Sequence, residues 1–378
     1  MTRAIVSVCL LLMSFLAQAE TLSVGPGKKF LFPSVAAKFA KDGDVIEIDA
    51  DGVYLNDSVV WKQNNLTIRG VNGRPHIRNT IMIPNQKGIW LIKGDNVTIS
   101  NIEMSGAKVR DRNGAAIRLQ GSNFHLSDCY LHDNENGVLG GVPDPKSEVL
   151  IENCEFAFNG RGKRGKTHNI YIGKVGRFIL RNSYSHDAVI GHLVKSRAQE
   201  SYILYNRLFE GLASYAIDLP NGGYALVMGN IIYQGKNTDN WGMVAYGQRN
   251  LANPKKRLDV VYNSFLNERS SAAFVKARDG AEVNVMNNLF SGHGNIFRGG
   301  KASGSVDNNV HESDLYAPFS FKGVKINDKW RSEIVDAAKP LKGPDDKELV
   351  PEKQIVDDKV VERRKLGKAL DIGAVEYQ

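Results

Sequence analysis

The sequence predicts an all-β chain wound as a parallel β-helix, and three observations carry that reading. First, short apolar runs that end in Asn or Asp recur along the chain: VTISN to Asn101, FHLSD to Asp128, VLIEN to Asn153, FILRN to Asn182 and YILYN to Asn206. The series continues with LVMGN to Asn230, VVYN to Asn263, NVMN to Asn287 and VDN to Asn308. Most intervals fall between 21 and 29 residues, and the longest, Asn230 to Asn263, leaves space for one extended loop. Self-similarity at this period marks a solenoid. Second, the runs alternate as strands do, with no helical period between them, which argues against leucine-rich or helical repeats. Third, 37 Gly against 12 Pro suits many turns and few long helices. A coil this short cannot bury its own apolar face, whereas stacked coils pair strand on strand and share one interior. An Asn repeated at a tight turn tolerates left-handed backbone and hydrogen-bonds its counterpart on the next coil. A β-sandwich would show hairpin turns at closer spacing and no column of one residue type.

Taken in order, the chain opens with Arg3, an apolar run from Ala4 to Leu16, and Ala17-Gln18-Ala19. This pattern reads as a secretory signal over residues 1–19, with the mature chain starting at Glu20 and exported to the periplasm or beyond. The apolar core is too short to span a bilayer, and no later stretch is long enough to do so. Cleavage removes Cys9 and leaves Cys129 and Cys154. These two read as buried small side chains stacked on neighbouring coils, although an oxidising compartment permits a disulfide. Phe32 to Lys41 has helical spacing with Ser34 as a candidate N-cap, and it leads into the strand Val45-Ile46-Glu47-Ile48. A short helix there would cover the open end of a solenoid, giving a capped β-helix over residues 20–311. Residues 312–378 are charged and Pro-interrupted, and read as an extended arm laid on the solenoid. The closing run Leu370 to Tyr377 alternates like a final docked strand.

Alignment of the second strand of each coil by apolar parity puts Ile117, Ile170, Val194, Ile217, Ala245, Val275 and Phe297 inside. The next residue on each strand then faces out: Arg118, Tyr171, Lys195, Asp218, Tyr246, Lys276 and Arg298. In-register parallel strands lie about 4.8 Å apart, so these residues would form one vertical row of tyrosines, cations and an acid. Such a row suits a linear anionic sugar polymer. His168, Asn169, His186 and His192 crowd beside it, as do Arg197 and Asn221. The formal net charge of +8 favours a polyanion. With an export signal and no nucleic-acid motif, that polyanion is expected to be acidic polysaccharide rather than nucleic acid. The chain is expected to be a monomer. No zinc-spaced His or Cys pair, EF-hand loop, Gly-rich phosphate loop or Gly-x-Ser-x-Gly elbow is present, so metal ligands are not assigned.

With these residues in view, the chain resembles the right-handed parallel β-helix polysaccharide lyases and uronan C5-epimerases over most of residues 42–310. The run Val194-Lys195-Ser196-Arg197, then Ile203 to Phe209, Ala216-Ile217-Asp218-Leu219 and Met228-Gly229-Asn230, is similar to a segment of the alginate lyase and chondroitinase B family. That segment carries a catalytic Lys in a Lys-Ser pair, and the resemblance implies that Lys195 is the base. The family's catalytic Arg context is replaced here by Leu219-Pro220-Asn221-Gly222, and its acidic calcium ligands by Ile190-Gly191-His192. Calcium is therefore only a possible cofactor.

The expected reaction is removal of the C5 proton of a uronate, followed by β-elimination or epimerisation. Arg197 and His192 are the candidates to neutralise the substrate carboxylate, and Tyr171 or His168 to supply the second proton. Asp218 is expected to orient Lys195. The substrate-binding candidates are Arg118, Asn169, His186, Asp218, Asn221, Tyr246, Lys276 and Arg298. Two other classes stay open. A β-helix glycoside hydrolase would need further carboxylates near Asp218, such as Asp187 or Asp239. A non-catalytic polysaccharide-binding solenoid would bind substrate and form no product.

Overall fold

In the computed structural model the chain is described over residues 19–300, 303–314 and 328–377, so the predicted export signal lies almost wholly outside the described residues. The solenoid is a parallel β-helix of three sheets. The first has twelve strands, from Thr21–Val24 to Val306–Asp307. The second has eleven, from Tyr54–Leu55 to Val310–Glu312, and the third has ten, from Val59–Trp61 to Asn295–Gly299. One coil supplies one strand to each in turn, as with Arg177–Arg181, Tyr184–His186 and Val194–Ser196.

Alternation sets the orientation of each strand. In Arg177–Arg181, Phe178 and Leu180 are buried while both arginines are exposed. A shift of one residue would reverse this, so the shared core holds the register. Inside, Trp61 meets Trp90 edge-on at 5.8 Å, and Phe265 and Phe274 each lie 4.8 Å from Phe290.

The turn between the first and second sheets explains the repeated Asn. It has two residues, the first left-handed and the second pointing inward. Asn101, Asp128, Asn153 and Asn182 occupy the first place, with φ between 53° and 55°. Behind them Ile102, Cys129, Cys154 and Ser183 fill the inward place. From Tyr205 onward the inward place is itself Asn, and Asn206, Asn230, Asn263, Asn288 and Asn309 form a ladder. The Nδ2 of each donates to the Oδ1 of the next at 2.9–3.0 Å. Their backbone N–H groups reach the same oxygens at 2.8–3.0 Å. The two cysteines sit higher in the same column, buried and without a disulfide, the Cys129 N–H donating to the Cys154 Sγ at 3.4 Å, and burial pushes the Cys154 thiol well up. Replacing Asn263 with Ala takes away the acceptor of the Asn230 N–H. A buried orphan of this kind costs about 1–3 kcal/mol, so a lower urea midpoint with unchanged slope is expected.

Several sequence expectations change here. The N-terminal helix is one turn, Pro33–Ala36, with Phe32 at its N-cap. Ser34 lies inside it and donates its N–H to Asp57. Pro at the first helical position, where no N–H is required, makes this start favourable. Tyr246 points inward rather than out. It is fully buried, and its hydroxyl donates to the Gly223 carbonyl at 2.5 Å.

The described part of the arm holds a helix, Asp328–Ile334, and a hairpin of Lys353–Val356 with Lys359–Glu362. Leu341, Leu349 and Val360 pack on Tyr205, Met228 and Tyr262, while Ile334, Ile372 and Val375 pack on Leu266, Leu289 and Val310. The closing segment docks but forms no ladder. The Gly373 N–H reaches the Asn287 carbonyl, and that of Ala374 reaches Ser264. Arg363 lies buried beneath it, 2.6 Å from Glu376, and donates to the carbonyls of Asp371 and Gly373. These contacts fall on the first and second sheets.

Candidate active site

The third sheet carries the predicted row. Ile117, Val138, Ile170, Val194, Ile217, Val244, Val275 and Phe297 stand in register inside it. Outside, the row runs Arg118, Leu139, Tyr171, Lys195, Asp218, Ala245, Lys276 and Arg298. Two of its members differ from the expected set. Leu139 belongs to a short strand the parity alignment passed over, and Ala245 stands where Tyr246 was expected.

The middle of the row is a connected group. The Lys195 Nζ lies 3.0 Å from the Asp218 Oδ2. One strand-turn away, the Arg197 Nε donates to the Tyr171 hydroxyl at 2.7 Å. Both cations approach the Tyr171 ring, with the Lys195 Nζ 5.5 Å and the Arg197 guanidinium 5.7 Å from its centre. Arg197 also donates to the Asn221 Oδ1, and Asn221 is braced in turn by Asn250 at 2.6 Å. Asn221 is thus a positioning residue for the guanidinium. Asp218 is 4% exposed, and burial pushes its carboxyl up against the opposing pull of Lys195 and Arg197.

His168 and His192 support this group from behind. Their rings stack at 4.8 Å, and Tyr215 stacks on His192 at 5.3 Å. The His168 Nδ1 accepts the His192 N–H at 3.0 Å, and the His192 Nδ1 accepts the Tyr215 N–H at 3.1 Å. Each ring therefore carries its proton on Nε2, and that of His192 points to Asp218 at 3.3 Å. Burial holds both well below the usual imidazole range, and for each the neighbouring Lys195 adds to the effect. Both are neutral. This corrects two expected roles: His192 cannot supply a cation to a carboxylate, and His168, fully buried, does not face substrate. The stack needs Gly191. A Cβ there would sit 1.9 Å from the Thr167 carbonyl oxygen and 2.7 Å from the His168 Nδ1.

Other candidates lie elsewhere. Asn169 is interior, and its Nδ2 donates to Ser185 and to the carbonyls of Phe156 and His186. It holds the turn and is not available to substrate. His186 stands on the second sheet, its Nδ1 2.7 Å from Asp187 and its Nε2 3.2 Å from Glu155, apart from the Lys195 group. Burial opposes its charge, but the two carboxylates outweigh burial and raise its pKa. A raised folded-state value means that its contribution to stability is whole below the ordinary value of 6.5 and is lost as pH rises through the folded value. The difference in thermal midpoint between the wild type and His186→Phe is therefore expected to narrow as pH rises above 6.5.

Further along the row, Lys276 and Arg298 flank Trp241, their charged atoms 4.6 and 4.8 Å from the ring centre. In the other direction Arg118 is two coils from Tyr171, and burial pulls its guanidinium down from the ordinary range. Trp241, Tyr215 and Asn250 were missed in the sequence because each lies in a turn, beyond the reach of strand parity. A calcium cage needs about six to eight oxygens. The donor set here does not fit one, since Asp218 already faces Lys195 and His192.

The fold is similar to the crystal structure of pectate lyase Pel9A, with a TM-score of 0.55 and 13% identity over 96% of this chain and 97% of that one. A tailspike protein, gp49 from Acinetobacter baumannii bacteriophage Fri1, described as a capsular polysaccharide depolymerase, gives a TM-score of 0.45 and 10% identity over 86% of this chain and 66% of that one. At this identity the likeness to Pel9A establishes a shared fold. No protein-family model matches the sequence, and no curated protein matches it significantly.

Proposed function

We propose that the protein acts on a uronate-containing polysaccharide by removing the C5 proton, with the outer row of the third sheet as its substrate track. The observation that carries this reading is the joined pair of contacts on adjoining coils, Lys195 against buried Asp218 and Arg197 against Tyr171. The C5 proton of a uronate is weakly acidic until the attached carboxylate is neutralised. Arg197 supplies the fixed cation for that step. Lys195 then takes the proton onto Nζ. Asp218, buried and 3.0 Å from Nζ, orients the Lys195 amine towards C5. In elimination the C5–H electron pair becomes the C4=C5 bond and the C4–O bond breaks. The Tyr171 hydroxyl gives its hydrogen to the leaving oxygen. Because Arg197 donates into that hydroxyl, its own hydrogen is free to point at substrate. In epimerisation the same intermediate is reprotonated on the opposite face of C5.

The shared fold of a pectate lyase supports the reaction class. The hydrolase reading is less well supported, since Asp187 turns to His186 and Asp239 to Arg164 rather than towards Asp218. The test is ultraviolet absorbance of unsaturated uronate ends, read across a panel of acidic and neutral polysaccharides, with NMR of the same mixtures. A signal on a uronate polymer and none on neutral glucans is expected. Neither unsaturated ends nor epimerised sugars on any uronan would overturn the proposal.

A further inference from the structure

A second group of side chains lies on the outer face of the second sheet. His76, Glu103 and Tyr130 stand on one outward row of three successive coils, and Ser105 and His132 on the row beside it. One ligand atom from each of His76, Glu103 and His132 lies within 4.8 Å of the others. The Glu103 Oε1 is 3.1 Å from the His132 Nε2 and 3.4 Å from the His76 Nδ1. Tetrahedral bonds of about 2.0–2.1 Å to a zinc-sized ion put neighbouring ligand atoms about 3.3 Å apart, close to both separations.

The outer nitrogen of each ring is already engaged. The His132 Nδ1 meets the Asp133 Oδ2 at 2.7 Å, and the His76 Nε2 meets the Ser105 Oγ at 2.7 Å. A proton held on that outer nitrogen leaves the inner nitrogen a lone pair facing Glu103, the arrangement by which second-shell acceptors orient metal-binding imidazoles. Asp133 is itself held by Arg161 at 2.6 Å, and the His132 ring stacks on Tyr130 at 4.3 Å. All three side chains keep partial exposure, so water can complete the shell.

The chain contains its own comparison. Tyr184, His186, Asp187 and Glu155 repeat Tyr130, His132, Asp133 and Glu103, with His186 between the same two carboxylate types. The place corresponding to His76 is there taken by Tyr130, two coils before Tyr184 in the same row. That copy has one imidazole and forms an ion pair. The first copy has two imidazoles converging on one carboxylate.

We propose that His76, Glu103 and His132 bind one divalent transition-metal ion of the zinc class, through the His76 Nδ1, a Glu103 oxygen and the His132 Nε2. Two imidazoles with one carboxylate select such an ion over calcium or magnesium, which take oxygen ligands. The ion ties three consecutive coils together on a face remote from Lys195, so the site is independent of the proposed reaction.

The test uses the untagged chain, stripped with chelator and titrated with zinc by calorimetry, with cobalt as a visible-spectrum probe and calcium as control. One zinc per chain, ligand-field bands with cobalt and no heat with calcium are expected. Zinc affinity should fall at least about tenfold in His76→Ala, His132→Ala and Glu103→Gln, the last of which keeps side-chain shape. It should be unchanged in His186→Ala. Circular dichroism confirms the fold of each variant. Absence of stoichiometric zinc uptake by the wild type, or equal uptake by the His76→Ala/His132→Ala double variant, would sink the proposal.

Discussion

Lys195→Ala is expected to end product formation on the polymer that the wild type converts, with a fall in turnover of about 10²–10⁴ and, because buried Asp218 loses its partner, a lower unfolding midpoint in a chain that still folds. The loss follows from the position of the amine, which stands on the outward row, 3.0 Å from Asp218 and beside the cation meant for the substrate carboxylate. Lys195→Arg separates two explanations. Arginine keeps the positive charge and can keep the pair with Asp218, but it stays protonated at any working pH and cannot serve as a base. Substrate binding is expected to survive in that variant, while ultraviolet product formation is not. If Lys195→Arg turned over at the wild-type rate, Lys195 would act through its charge, and the assigned base would be wrong.

Arg363→Ala is expected to destabilise the protein by about 3–5 kcal/mol, the range for removing one partner of a buried ion pair. Arg363 and Glu376 are 0% and 1% exposed. Burial raises the Glu376 carboxyl, and Arg363 opposes that. Without the guanidinium, the carboxylate and the carbonyls of Asp371 and Gly373 lose their donor together. Limited proteolysis should then cut first within residues 328–377. The double variant Arg363→Met/Glu376→Leu tests the cause, since replacing both charges with apolar groups removes the orphan as well as the bond. It is expected to recover most of the loss. Recovery of none would mean that the segment is held chiefly by shape and packing.

The fold was legible because a solenoid repeats its own evidence. Each coil restates the apolar alternation, and an error in one is corrected by the next. The outward row was read correctly at Arg118, Tyr171, Lys195, Asp218, Lys276 and Arg298. It failed at Tyr246 for a physical reason. The strand Gly242–Tyr246 reads Met-Val-Ala-Tyr after its glycine, with no polar residue to mark the outer face. The Asn repeat was seen, but the left-handed and inward places were merged into one, because Asn is favourable in both.

The site was less legible. Lys195 with Asp218 followed from register alone, whereas the roles of His168 and His192 depended on where their Nδ1 atoms point. A backbone N–H aimed at a ring nitrogen leaves no trace in sequence. Asn169 and His186 lie near Lys195 in sequence but face the interior and another sheet. The turn between second and third sheets varies in length, so parity does not carry across it.

The asparagine ladder has an electrical consequence. From Asn206 to Asn288 each side-chain amide hands an N–H to the amide oxygen of the following coil, ending on Asn309. The amides are thus dipoles set head to tail along the solenoid axis, with positive ends towards the C-terminal coils. Each polarises the next, so a rung bonds more strongly inside the line than it would alone. The interior of this half of the molecule, apolar by composition, is threaded by one oriented polar filament.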